Sequence, residues 1–407
     1  NIYTQKQPKY FDPHKPVYFI NKEESFIYVS RKNGYNRLYL YKNDSTPVQL
    51  LTKQNIEVNN IIGIEGLYMY YTAIDQQRPM EEHIYKTNFN TGNTYLLSSE
   101  PGVHYAYLNK KNGLILDEYS NIDEPYKLDF VDLKNALKKQ VFKAENPFQN
   151  VLLPTISFDQ ITAADDSTTL YCSLIKPANY DSLKKYPTIV YVYGGPHVQL
   201  VRNKWMMECG FAPYFLASKG FLVYLLDSRG SANRGLLFEN CTHRRLGTIE
   251  TADQLKGIDY LIKIQSVDTS RIGVYGESFG GFMTLTLMEQ APGIFKTGVC
   301  GSPVTDWKYY EIMYGERYMG TPQNNAEGYS ASSTITKVKN IKGKLLLING
   351  GLDHITVLNN SMSFVNECIK QNIQIDYFLY PNHDHHVLGK ERTHFMYKLS
   401  NYFINNL

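Results

Sequence analysis

The chain is short of cysteine, of tryptophan and of any excess of one charge. Its five cysteines, Cys172, Cys209, Cys241, Cys300 and Cys368, are odd in number among 407 residues and form no CxxC pair. That argues against a disulfide scaffold and leaves a zinc site without ligand spacing, so buried free thiols are expected. Lysine and arginine total 42 against 39 acidic residues, a net charge of +3 with no basic block. Nucleic acid and anionic membrane surfaces are therefore not expected partners. No apolar run approaches the ~20 residues that cross a bilayer. The longest, 188–193 and 221–226, are strand-sized. Hydrophobic residues at 43% and charged residues at 20% exclude a disordered or fibrous chain. A start at Asn1 without a signal-peptide pattern reads as a processed or excised chain.

What is abundant is tyrosine, with 34 copies, a residue that suits pleated surfaces. Residues 1 to about 150 read as strands. Phe26 to Ser30, Leu38 to Tyr41 and Val48 to Leu51 run apolar or alternate, and turn residues such as Asn33-Gly34 and Asn43-Asp44 separate them. Tyr-Lys recurs at Tyr41-Lys42, Tyr85-Lys86 and Tyr126-Lys127. A period in the low forties with several strands per unit is a propeller-blade pattern. About three blades fit this length, whereas propellers close with about four to eight. The expectation is a partial propeller with blades missing upstream, or a compact β-remnant.

From about residue 151 the rhythm becomes α/β. Apolar strands at 188–193, 221–226, 272–275, 298–301, 344–348 and 375–380 alternate with helical patterns at 252–264, 281–290, 360–370 and 393–404. Continuous apolar strands between helices predict a mostly parallel, doubly wound sheet over residues 151–407.

Gly276-Glu277-Ser278-Phe279-Gly280-Gly281 stands between a strand and a helix. That is the context a nucleophile elbow needs: glycines let the backbone turn sharply and Ser278 is pushed out at the strand end. A serine needs a base, itself oriented by a carboxylate, and in the α/β-hydrolase arrangement these follow in the order Ser, Asp/Glu, His. Asp353, just past the strand at 344–348, is the leading acid; Asp384 and Asp306 are weaker candidates. The base must follow the strand at 375–380, where His383, His385 and His386 crowd together, and spacing alone does not choose among them. A metal site on that cluster lacks a further ligand at suitable spacing. His354 reads as a bystander. For an oxyanion hole, the Phe279 N–H is one expected donor, and Tyr193 in Tyr193-Gly194-Gly195-Pro196 could supply a hydroxyl. Trp307, Tyr310 and Tyr314 are three and four apart, which predicts one helical face, and an aromatic stripe of this kind is more often core than pocket.

The segment from about Asn150 to Leu407 resembles the catalytic domain of the prolyl oligopeptidase family, and within it the dipeptidyl peptidase IV branch. The likeness rests on Tyr191-Val192-Tyr193-Gly194-Gly195-Pro196, Asp227-Ser228-Arg229-Gly230-Ser231, Arg244-Arg245-Leu246-Gly247-Thr248, the Ser278 elbow, Trp307-Lys308-Tyr309-Tyr310 and Glu316-Arg317-Tyr318-Met319-Gly320. Ser30-Arg31-Lys32-Asn33-Gly34-Tyr35 is similar to the last blades of the family's propeller. The resemblance implies Ser278 as nucleophile, Asp353 as orienting acid and His385 as base, with His386 where the family's motif has glycine. It implies Tyr193 as oxyanion donor and a proline-ring pocket from Val304, Trp307, Tyr310 and Tyr314. It also implies an Asn where this chain has Ile355, and paired glutamates on upstream blades, for which Glu81-Glu82 are not to be mistaken.

The expected activity is a serine exopeptidase that cleaves after proline or alanine and releases N-terminal Xaa-Pro dipeptides through an acyl-enzyme, without metal or cofactor. The alternatives are an acylaminoacyl peptidase, oligopeptidase or esterase on the same fold, or a catalytically impaired binding protein. Peptides with proline near the N-terminus are the expected partners, with a homodimer as a candidate assembly. Compartment cannot be read from these residues, and the resemblance leans towards an exported or periplasmic location.

Overall fold

A computed structural model describes residues 6–7, 9–10, 15–20, 24–42, 47–52 and 55–407; the Asn43-Asp44 turn lies outside the described residues. Two compact units are present. The first holds Asn1–Val151 together with Arg202–Glu208 and Ala232–Glu239, and the second holds Leu152–Val201, Cys209–Ser231 and Asn240–Leu407. The two later segments depart from a single boundary near residue 150. Hydrogen bonds explain their membership. Asn203 N–H donates to Met80 O (2.9 Å) and Leu236 N–H to Gly34 O (2.6 Å). Arg202 pairs with the buried Glu82 (2.7 Å), which also accepts from Thr72, and Asn203 Nδ2 donates to Glu81. Glu81 and Glu82 are thus committed to internal partners.

Among the described residues, the first unit is three four-stranded antiparallel sheets. The first is β1 (Tyr18–Ile20), β2 (Ser25–Ser30), β3 (Arg37–Lys42) and β4 (Pro47–Leu50). The second is β5 (Ile56–Glu65), β6 (Tyr68–Asp75), β7 (His83–Asn88) and β8 (Thr94–Leu96). The third is β9 (Val103–Asn109), β10 (Leu114–Ser120), β11 (Lys127–Asp132) and β12 (Lys138–Lys143). Each Tyr-Lys pair marks the third strand of a sheet: it closes β3, lies inside β7 and opens β11. Strand periodicity explains why these strands read as nearly continuous apolar runs. Successive side chains point to opposite faces, and in β6 Met69, Tyr71 and Ala73 pack towards the first sheet's Leu38 and Leu40 while Tyr70 packs with Ile115 and Val131 of the third. Stacking sheets on both faces makes bulky tyrosines at both parities useful.

The second unit is one eight-stranded sheet in the order β13-β14-β16-β15-β17-β18-β19-β20. Its strands are β13 (Thr155–Thr162), β14 (Thr169–Lys176), β15 (Tyr186–Tyr191), β16 (Leu222–Leu226), β17 (Val267–Glu277), β18 (Phe295–Gly301), β19 (Lys344–Gly350) and β20 (Asp376–Tyr380). β13, β14 and β16 pair antiparallel, and every pair from β16 onward is parallel. The sequence pattern did not reveal β13 and β14: the edge strand β13 is largely solvated and lacks the apolar run of a central strand, and Ser173 interrupts that of β14. The helices are α1 (Ala212–Ser218), α2 (Leu236–Glu239, part of the first unit), α3 (Ile249–Leu261), α4 (Phe279–Gln290), α5 (Ile312–Met319), α6 (Ala326–Ser332), α7 (Asn359–Lys370) and α8 (Glu391–Asn406). α4 is buried from Phe279 to Glu289, as expected of a helix apolar all round. No helix among the described residues is long and apolar enough to cross a membrane.

Candidate active site

Ser278 sits at the junction of β17 and α4 with φ 60° and ψ −120°. A non-glycine residue there carries backbone strain of about 1–3 kcal/mol, which the surroundings must offset. They do so by tight packing at three glycines. A Cβ on Gly276 or Gly280 would collide with the Val192 carbonyl oxygen, and one on Gly281 with that of Gly301. Gly301 O in turn accepts from Ser278 N–H at 2.8 Å. The elbow is therefore wedged between the chain after β15 and the end of β18. Two of the longer motifs brace it. Arg244 N–H donates to Tyr318 O (2.7 Å), joining the 244–248 and 316–320 segments, and Gly247 lies against the Phe282 ring of α4.

His385 Nδ1 meets Asp353 Oδ2 at 2.8 Å, with the Asp353 side chain fully buried and that of His385 7% exposed. The other Asp353 oxygen accepts the N–H groups of Ile355 (2.9 Å) and Thr356 (2.8 Å). Burial disfavours the Asp353 charge, but the His385 and Thr356 bonds outweigh it and hold the carboxyl below its usual value. The trio of histidines separates cleanly. His383 faces Glu391 at 4.0 Å, His385 takes Asp353, and His386 faces Glu277 at 3.6 Å. Asp384 pairs instead with His354 (2.9 Å), and Asp306 caps Lys308 N–H and accepts from Ser333.

Consecutive residues link the serine and histidine strands. Gly301 O holds Ser278 N–H, and the next residue, Ser302, donates its hydroxyl to His385 O at 3.3 Å. The Ser278 and His385 backbones thus hang from adjacent residues of one strand end.

Phe279 opens α4, so its N–H is one of the four that have no acceptor within the helix, at the positive end of the helix dipole. Tyr193 lies in the loop after β15, its ring 6.0 Å from that of Phe279. Burial, with Tyr310 nearby, pushes its hydroxyl up to about 12, so it stays a neutral donor at physiological pH. Gly195 provides the room: a Cβ there would strike the Phe279 and Tyr193 rings.

Val304 and Trp307 are buried. Trp307 stacks on Tyr314 (5.7 Å, 10° between planes), meets Tyr310 edge-on (5.5 Å) and touches Phe279 (5.5 Å). The three aromatics do not share a helical face as their spacing predicted. Residues 307–309 form a single 3₁₀ turn, Tyr310 and Glu311 are extended, and α5 starts only at Ile312. The rings converge because the chain breaks between them. Sequence reasoning also passed over Glu277, the variable position of the elbow, which contacts His386 and Arg392. The only signals were a carboxylate in the elbow and a histidine where the resembled family has glycine. Among the described residues no cluster of His, Cys, Asp and Glu has metal-binding geometry.

The model of the prolyl oligopeptidase family matches residues 207–407, and that of the dipeptidyl peptidase IV N-terminal region matches residues 1–126. Mouse dipeptidyl peptidase 8 is 32% identical over 86% of this chain and 41% of its own length. A probable dipeptidyl-aminopeptidase B from Aspergillus oryzae is 29% identical over 94% of this chain and 44% of its own. Among solved structures, a putative dipeptidyl aminopeptidase IV from Bacteroides ovatus superposes with a TM-score of 0.94 at 39% identity, covering 98% of this chain and 60% of that one. Porphyromonas gingivalis dipeptidyl peptidase 4 gives 0.87 at 28%, covering 96% and 56%. The chain thus spans about two fifths of these curated relatives and somewhat over half of the solved chains. With its blades, its mixed eight-stranded sheet and its elbow in the matched segments, the chain belongs to the prolyl oligopeptidase family, on the dipeptidyl peptidase IV side.

Proposed function

We propose that this chain carries the catalytic machinery of a serine exopeptidase that releases N-terminal Xaa-Pro dipeptides. The observation that carries the reading is the 2.8 Å bond between His385 Nδ1 and a buried Asp353 whose second oxygen is already occupied by two backbone N–H groups. That bond leaves His385 Nε2 as the free basic nitrogen. Ser278 Oγ attacks the peptide carbonyl as Nε2 removes its proton; the tetrahedral oxyanion is held by Phe279 N–H and the Tyr193 hydroxyl. The C–N bond then breaks, with the proton passing from His385 to the leaving amine. Water, activated by the same imidazole, hydrolyses the Ser278 ester and frees the dipeptide. Val304, Trp307, Tyr310 and Tyr314 form the proline pocket in this reading. Flat aromatic walls suit a rigid ring that loses little entropy on binding. Burial raises the Tyr310 hydroxyl and drives that of Tyr314 well above its ordinary value, so the walls carry no charge.

The names of the relatives support dipeptide release over the acylaminoacyl, endopeptidase or esterase alternatives. The test is turnover of Gly-Pro and Ala-Pro p-nitroanilides beside an acetyl-amino-acid anilide and a short ester, with Ser278→Ala as control. Preference for the dipeptidyl substrates, lost in Ser278→Ala, is expected. Retained activity in that variant would remove Ser278 from the mechanism, and preference for the acetylated substrate would reassign the class.

A further inference from the structure

We propose that Glu277, His386 and Arg392 form a charged clasp that positions the His385 loop against the nucleophile and gives the peptidase a second, alkaline pH dependence. The proposal rests on the serine-peptidase reading above. Glu277 immediately precedes Ser278, and His386 immediately follows His385. The Glu277 side chain reaches His386 Nδ1 at 3.6 Å and Arg392, in the first turn of α8, at 3.6 Å. The loop that carries the base, between β20 and α8, is therefore held directly after the base and again where it enters α8 by the residue beside the nucleophile. Tyr275 donates its hydroxyl to Glu277 Oε1 from the same strand, and Tyr191 of β15 packs on Tyr275 with ring centroids 5.3 Å apart. The His385 and His386 rings lie 4.9 Å apart, so displacement of one is felt by the other.

The charged and titratable groups facing His386 are Glu277 from β17, Arg392 from α8, Asp353 from the loop after β19, and His385. The Glu277 carboxylate raises His386 above the ordinary imidazole value, against burial and against Arg392. Burial disfavours the Glu277 charge, but His386, Arg392 and Tyr275 more than offset it. The sign follows. A histidine raised in the folded state contributes its pairing fully below its ordinary value of about 6.5, and loses it as pH rises through the raised value. Arg392 keeps Glu277 partnered at every pH, so the clasp loosens without opening.

The test is the profile of kcat/KM for Gly-Pro-p-nitroanilide from about pH 6 to about pH 10, spanning the imidazole range. Wild type is compared with His386→Gln, His386→Lys and Glu277→Gln. The wild type is expected to fall roughly two- to fivefold as His386 deprotonates, the size of a half-exposed ion pair. His386→Gln and Glu277→Gln should lack the step and sit on the lower level throughout. His386→Lys, charged across most of the range, should stay on the upper level. A step that survives in His386→Gln, or a His386→Lys profile that matches His386→Gln, would overturn the clasp. Labelling of Ser278 by a fluorophosphonate at a single pH, and its loss in Ser278→Ala, tests the peptidase reading apart from this.

Discussion

Replacing Asp353 by asparagine changes one atom in a site whose other bonds can all be kept. The amide is as large as the carboxylate, and its oxygen can still accept the Ile355 and Thr356 N–H groups at 2.9 and 2.8 Å. Its NH₂ then faces His385 Nδ1, where the wild type has an acceptor at 2.8 Å. Two donors cannot share that contact. The imidazole must move its proton to Nε2, the nitrogen that has to receive the Ser278 proton. The wrong tautomer of a serine triad lowers kcat by about 10⁴-fold, or ~5 kcal/mol in the barrier. KM should change little, because Asp353 is buried behind the histidine. The pH dependence of stability gives a second readout. The lowered Asp353 carboxyl contributes stability that is present above the ordinary carboxylate value and is lost as pH falls through its folded value. Asp353→Asn should remove that part of the acid limb. Steady-state kinetics on Gly-Pro-p-nitroanilide and acid unfolding by circular dichroism measure the two effects. If Asp353→Asn stays within tenfold of wild type while Asp384→Asn loses activity, the 2.8 Å bond is not the working one and the assignment fails.

Tyr193→Phe removes a hydroxyl from the proposed oxyanion hole and should lower kcat by about 10²–10³-fold with KM nearly constant; a pure KM effect would move Tyr193 to substrate binding. Arg229→Met breaks two bonds to the fully buried Asp253 (2.9 and 2.7 Å) and one to Asp165 (2.8 Å). Stranding a buried carboxylate should cost about 3–5 kcal/mol in urea unfolding, and a loss under 1 kcal/mol would show the pair contributes little. Gly276→Ala places a methyl on the main-chain oxygens of Val192 and Gly280, which cannot rotate away. It should destabilise by at least ~3 kcal/mol, the upper end of overpacking. Gly113→Ala, with open space around its Cβ but φ 61°, should cost only about 1 kcal/mol. Equal midpoints for the two alanine variants would refute the wedged elbow.

Much of this was legible because it is local. The elbow reads from six residues, since a strand, a sharp glycine turn and a helix follow one another without help from elsewhere. The Tyr-Lys recurrence reads for the same reason: it marks the third strand of each sheet, a place set by hairpin order. The shared helical face expected for Trp307, Tyr310 and Tyr314 is not there. Their spacing matched a helix, but the extended Tyr310 and Glu311 break the turn, and the rings meet through tertiary packing on Phe279 and Phe282. Membership of residues 202–208 and 232–239 in the first unit was invisible too, because it depends on partners such as Glu82 and Gly34 more than a hundred positions away.

By itself the sequence determined the change from blades to alternating strands and helices, the central strands of the large sheet and the single residue at the elbow, since each depends on side-chain periodicity and backbone freedom within a few residues. Spacing left open which of three neighbouring histidines takes the Asp353 carboxylate; the resemblance pointed to His385, and the physical reason lies only in the tertiary structure. His383, His385 and His386 are chemically the same group within four positions, and only the separate placement of Glu391, Asp353 and Glu277 around the loop gives each ring a different partner.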